Sequence, residues 1–254
     1  MYGFFTAVTI RERKPTIETG INGAWLIAAV ATQSVAVLGS LVAPTFGENR
    51  PVVLFFTLCM FLIGCMLYLA IITLIFYRLT FIRLTPQTMA PPYWINMGAV
   101  AITTLAGATL LLRAGEWPFL QELQPFLRGW TLFFWVTATW WIPLLFILMI
   151  WRHAYMRYPL RYDPTYWGMA FPLAMYTTGC FQLFTALGLP FMLVVPRSFT
   201  FVALAVWMGT FIGLSHSLFR AWATRSSLPA VAEGPAPVRT SRHESATRQR
   251  GSRL

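Results

Sequence analysis

Apolar residues along the chain fall into six long runs separated by short polar segments, at residues 23–43, 52–76, 93–112, 130–151, 166–189 and 198–219. Each is about as long as the ~20 helical residues needed to cross a hydrocarbon core of ~30 Å. Backbone polar groups find no partners in lipid, so runs of this kind are expected as helices, and no Asp, Glu, Lys or Arg interrupts any of them. The pattern predicts an all-α, polytopic transmembrane protein with six spans. Residues 1–22 form an N-terminal cytoplasmic segment in this reading, and 23–222 the transmembrane domain. The stretch 223–254, rich in Arg, Ser, Thr and Pro, is a basic cytoplasmic tail too polar to pack and is expected to be disordered. The apolar opening of the first ten residues is too short to span, and its basic cluster follows it, unlike the order in a signal peptide.

The polar segments fix an orientation. Alternate segments hold fifteen of the nineteen Lys and Arg residues, including both termini, and the other set holds four, Arg50, Arg113, Arg128 and Arg197. Cytoplasmic loops retain basic residues, so both termini are expected in the cytoplasm of a multi-pass inner-membrane protein.

A repeat runs through the spans. Runs one, three and five open with aromatics in Asn22-Gly23-Ala24-Trp25, Pro92-Tyr93-Trp94-Ile95 and Thr165-Tyr166-Trp167-Gly168, so the tryptophans are spaced by 69 and 73 residues. One helical hairpin of about 70 residues, repeated three times in parallel, accounts for the period. Small residues (Ala, Gly, Ser, Thr) occupy 8 of 18 positions at 25–42 and 9 of 18 at 94–111, but only 3 at 53–70 and 3 at 132–149. Small residues permit close backbone approach or leave lumen space, which makes the odd helices inner and the even ones outer. The third hairpin lacks this contrast, with 6 at 167–184 and 7 at 199–216.

Composition sharpens the class. Charged residues make up 11% of the 254 and hydrophobic ones 57%, far from the ~25% charge of soluble domains, which excludes an ordinary cytosolic enzyme. A net charge of +11 would suggest nucleic acid if it formed one face, but it is distributed over loops and tail, so no nucleic-acid partner is expected. The partner expected from composition is the lipid bilayer. Cys59, Cys65 and Cys180 form no metal-ligand spacing and read as apolar fillers. Neither a catalytic constellation, a metal site nor a cofactor motif is present in the pattern, and His216 stands without catalytic company.

Intramembrane carboxylates, usual in proton and sodium relays, are missing from the runs, which favours a passive or weakly coupled path. Gln33, Ser34, Thr103, Thr104, Thr177 and Thr178 are the candidate pore-lining residues; the competing reading bonds such hydroxyls back to their own helix. Pro143 and Pro172 each remove a backbone bond, and Pro172 is expected to kink the fifth helix near its middle, with Phe171 beside the kink as a hydrophobic plug or a packing residue. Gly209 and Gly213 form a G-x-x-x-G association motif suited to contacts within or between chains. Trp25, Trp94, Trp130, Trp151 and Trp167 read as interfacial anchors.

These stretches resemble the tellurite-resistance and dicarboxylate transporter family, which includes slow anion channels. The similarity is carried by NGAWLIAAVATQSVAVLG (22–39), PPYWINMGAVAITTLAG (91–107), WWIPLL (140–145) and YWGMAFPLAMY (166–176). The resemblance implies ten helices in five hairpins around a central pore, assembled as a homo-trimer, with a gating phenylalanine on the ninth helix. It makes Phe171, followed by Pro172, the gate, and makes these six runs the last six helices of that fold, with the N-terminal helices missing. It implies transport of small anions or C4-dicarboxylates, with malate, tellurite, sulfite and chloride all open. The alternative is a non-transporting remnant or a structural membrane subunit.

Overall fold

In the computed structural model the described residues are 20–89 and 91–226. The segment 1–19 and the tail after 226 lie outside them, so the expectations for the N-terminal segment and the basic tail are not addressed by it. The chain divides into two compact units, Met1–Ser217 and Leu218–Leu254. Among the described residues there are helices and turns and no strand.

Seven helices are numbered in chain order: α1 (Ile27–Val42), α2 (Arg50–Phe81), α3 (Ile95–Leu112), the short α4 (Pro118–Glu122), α5 (Gln124–Ile150), α6 (Trp167–Leu187) and α7 (Val194–Ser226). The six long ones coincide with the six apolar runs. Four continuous helical stretches are both long and apolar enough to cross a membrane, Gly23–Phe81, Pro91–Leu112, Gln124–Tyr155 and Pro190–Trp222. The first of these contains α1 and α2, divided at the 3-10 segment Ala43–Asn49, where Gly47 adopts a φ of 52°. α6 is not one of the four; its threonines, glycines and glutamine dilute its apolar character.

The repeated aromatic signature is a structural device. α1, α3 and α6 are each entered through a 3-10 turn, Gly23–Leu26, Pro91–Trp94 and Pro164–Tyr166. Two of these turns are capped by a side chain that accepts a backbone N–H, Asn22 from Ala24 at 2.9 Å and Asp163 from Thr165 at 2.7 Å. At the other end of α6, Gly188 in the left-handed region (φ 67°) stops the helix.

α3 is the centre of the fold, packed against α1, α2, α5 and α6, and every residue from Ile95 to Leu111 is buried. Contacts advance in the same direction along α1 and α3, from Gly23 beside Pro92 to the Ser40 carbonyl beside Arg113, so these helices run parallel. α6 is parallel to α3 as well, from Pro172 at Gly98 to Gly179 at Ala101 and Thr104. α2 and α5 run antiparallel to this row and cover it. Within the first two hairpins the same contact recurs: a Cβ on Gly39 of α1 would collide with Oγ1 of Thr57 on α2, and one on Gly107 of α3 would collide with Oγ1 of Thr131 on α5. Small residues are therefore on the row because outer-helix side chains press into its backbone.

Aromatics cement the cover. Trp141 of α5 donates to the Tyr68 hydroxyl of α2 at 3.1 Å, and Tyr68 meets Phe134 edge-on at 6.0 Å. Trp94 departs from the anchor expectation: it is buried, edge-on to Phe146 at 5.1 Å, because the 3-10 turn before α3 directs it inward under α5.

Candidate functional site

α6 carries the proposed gate pair. Pro172 lies in its second turn, not near its middle, because the helix begins at Trp167. The ring is buried against α3, where a Cβ on Gly98 would come within 2.7 Å of its Cγ. With Pro172 pinned on this side, Phe171 is turned outward and is 40% exposed. Ala174, Thr178 and Phe181 share this outward face at helical spacing and are exposed too.

The six polar candidates do not share one surface. Thr103 and Thr104 are buried within the packed row, and their hydroxyls donate to the carbonyls of Ala99 at 2.7 Å and Val100 at 2.8 Å. Gln33 is buried between α1 and α2, donating to the Phe61 carbonyl at 3.0 Å across the bare Cα of Gly64. It is an interhelical strut in this arrangement, with its Oε1 sealed and unpartnered. Ser34 is exposed on the outward face of α1 and donates to the Val30 carbonyl. Thr177 and Thr178 also bond back along their helix, to Leu173 and Ala174. These two border a cleft of about 310 Å³ between α6 and α7 whose wall includes Arg197 and Thr200.

The two glycines of α7 separate in role. Gly213 receives the Tyr162 ring, with a Cβ there 2.6 Å from Cδ2, whereas Gly209 faces open space. His216 is exposed. Among the described residues no three His, Cys, Asp or Glu side chains are grouped to hold a metal.

Sequence reasoning missed the polar knot where α1 and α3 end and α2 begins. Arg113, just after α3, donates through Nε to the Ser40 carbonyl of α1 at 3.1 Å and through Nη1 to Glu116 at 2.9 Å, while Arg50 of α2 lies 3.5 Å from the other Glu116 oxygen. One carboxylate thus ties three helix ends. At the opposite ends, Arg78 of α2 donates to the Tyr93 hydroxyl before α3. Their only sequence signal is a charge at a span border, which loop counting treats as topology alone.

Residues 1–215 match the profile of the voltage-dependent anion channel (SLAC1) family, and the chain belongs to that family. An uncharacterized membrane protein of Mycobacterium tuberculosis is 40% identical over 152 residues, which are 60% of this chain and 77% of the relative. Two uncharacterized transporters of Methanocaldococcus jannaschii are 25% and 27% identical over 169 and 157 residues, and the matched parts cover 48% and 44% of their lengths. No solved structure matches. The protein is thus a helical membrane protein of a channel family and not an enzyme family, and anion transport is the general activity that membership supports.

Proposed function

We propose that the chain is a pore-forming element for small anions or C4-dicarboxylates in the cell inner membrane, with six spans in three repeated hairpins and both termini cytoplasmic. The observation that carries this reading is the division of labour at Phe171 and Pro172: one ring is locked against Gly98, and its neighbour is held out on the open face of α6. A rigidly based aromatic on an inner helix is suited to obstruct a lumen by dewetting. The gating phenylalanine implied by the family resemblance falls on the same residue. The recurring Gly39–Thr57 and Gly107–Thr131 contacts, 68 and 74 residues apart along the chain, support the repeat. Assembly as a trimer rests on the resemblance alone. In liposomes, Phe171→Ala should raise chloride or malate flux. Unchanged flux in a preparation that conducts would remove the gate assignment.

The burial of α3 favours a second reading, a structural membrane subunit without transport. Thr103 and Thr104, which would face a lumen if the row lined one, are closed off from solvent. Purified protein that reconstitutes in the bilayer yet passes no anion, with Phe171 or with Ala in its place, would select this reading.

A further inference from the structure

The end of α5 holds a buried charge that the proposed path does not use. The helix passes into a π-turn at Trp151–Tyr155, a geometry often found at functional sites. Arg152 in this turn is only 6% exposed. Its Nε and Nη1 are sealed from solvent and have no hydrogen-bond partner. The guanidinium lies 4.4 Å from the centre of the Tyr158 ring, which supports its flat face and leaves its donating edge unpaired.

His153 converges on the same tyrosine. Its Nδ1 is 2.9 Å from the Tyr158 carbonyl, so that nitrogen carries the proton, and Nε2 is likewise sealed without a partner. The Tyr158 N–H returns to the Arg152 carbonyl at 3.1 Å, and Arg157, at a φ of 52°, closes the turn. Among the described residues no carboxylate lies within ion-pair distance of Arg152. Asp163 influences it only from farther away, and hydrogen bonds from the Thr165 hydroxyl and N–H hold that carboxyl below its usual range.

A guanidinium cannot escape burial by losing its proton, and a buried unpaired charge is strongly unfavourable. The Nε and Nη1 edge matches two oxygens of one oxyanion. We propose that Arg152 binds a phosphate group at this turn, which the 156–163 loop borders. Arg157 on that exposed loop favours an anion of high charge density. Trp151 places the site at the membrane border, where the phosphate is that of a phospholipid headgroup or of a free phosphate compound. This site is independent of the Phe171 reading.

The test uses full-length protein, wild type and Arg152→Gln, with Arg161→Gln as a control for general loop charge. In delipidated detergent, a free-phosphate site gives a thermal shift with millimolar inorganic phosphate that Arg152→Gln loses and Arg161→Gln keeps. A headgroup site gives no such shift. Instead, native mass spectrometry after exchange from phosphatidylglycerol nanodiscs shows retained lipid that falls about tenfold in Arg152→Gln. In either case Arg152→Gln without phosphate or lipid melts no lower than wild type, because it removes an unpaired buried charge. The proposal is overturned if wild type responds to neither probe, if Arg152→Gln responds as wild type does, or if ligand-free Arg152→Gln is markedly less stable.

Discussion

The Pro172 ring rests on the bare backbone of Gly98, close enough that a single added methyl on α3 would collide with it. The two residues are 74 positions apart, and their contact sets the height at which α6 meets α3. Proline lacks the N–H that would bond the Gly168 carbonyl, so the first turn of α6 is held by tertiary contact more than by its own ladder.

Gly98→Ala should therefore destabilise the fold by about 1–3 kcal/mol, as overpacking does. Adding Pro172→Ala should return part of that loss, since the smaller side chain vacates the contested space. Thermal unfolding of the single and double variants in detergent measures the coupling. Additive losses would mean that the two residues do not share this contact.

Gln33 separates a strut from a pore lining. Gln33→Met keeps most of the volume and removes the bond to Phe61, and it should cost about 1–2 kcal/mol while leaving anion flux unchanged. A change of anion preference in Gln33→Met at unaltered stability would move the residue back to the path.

Glu116, 23% exposed, joins Arg113 and Arg50, which are 31% and 34% exposed, so solvent screens their attraction. Glu116→Gln should lower stability by less than about 1 kcal/mol, and high salt should shrink the difference between the two proteins. Removing Arg113 should cost more, because the Ser40 carbonyl loses its donor as well. Melting curves of both variants across a salt series test the order.

Orientation is open to chemical labelling. With native cysteines replaced, a cysteine introduced as Glu48→Cys should react with a membrane-impermeant maleimide from outside intact cells, and one introduced as Arg83→Cys should react only after permeabilisation. The reverse pattern would invert the topology read from the basic loops.

Much of the fold is legible in the sequence because lipid imposes a coarse requirement. The six apolar runs become the six long helices, and the NGAW, PPYW and TYW motifs become the turns that start the inner row. The site is less legible. A threonine in an apolar run can line water or bond its own helix, and composition is identical in both cases; Thr103 and Thr104 take the second course because α3 has neighbours on every side. From sequence Gln33 reads as a lumen donor because its partner, a main-chain carbonyl opposite Gly64, leaves no trace in a side-chain pattern. Arg152 was one of fifteen positive charges until its burial set it apart from Arg157 and Arg161.

The enclosure of α3 from Ile95 to Leu111 has a consequence for biogenesis. A segment that meets no lipid in the finished fold is apolar for the sake of its passage through the insertion machinery, and bilayer solvation judges its sequence only once. Afterwards the criterion is fit between helices. Substitutions there that a translocon would accept, such as a leucine for Gly107, should insert normally and then fail at assembly.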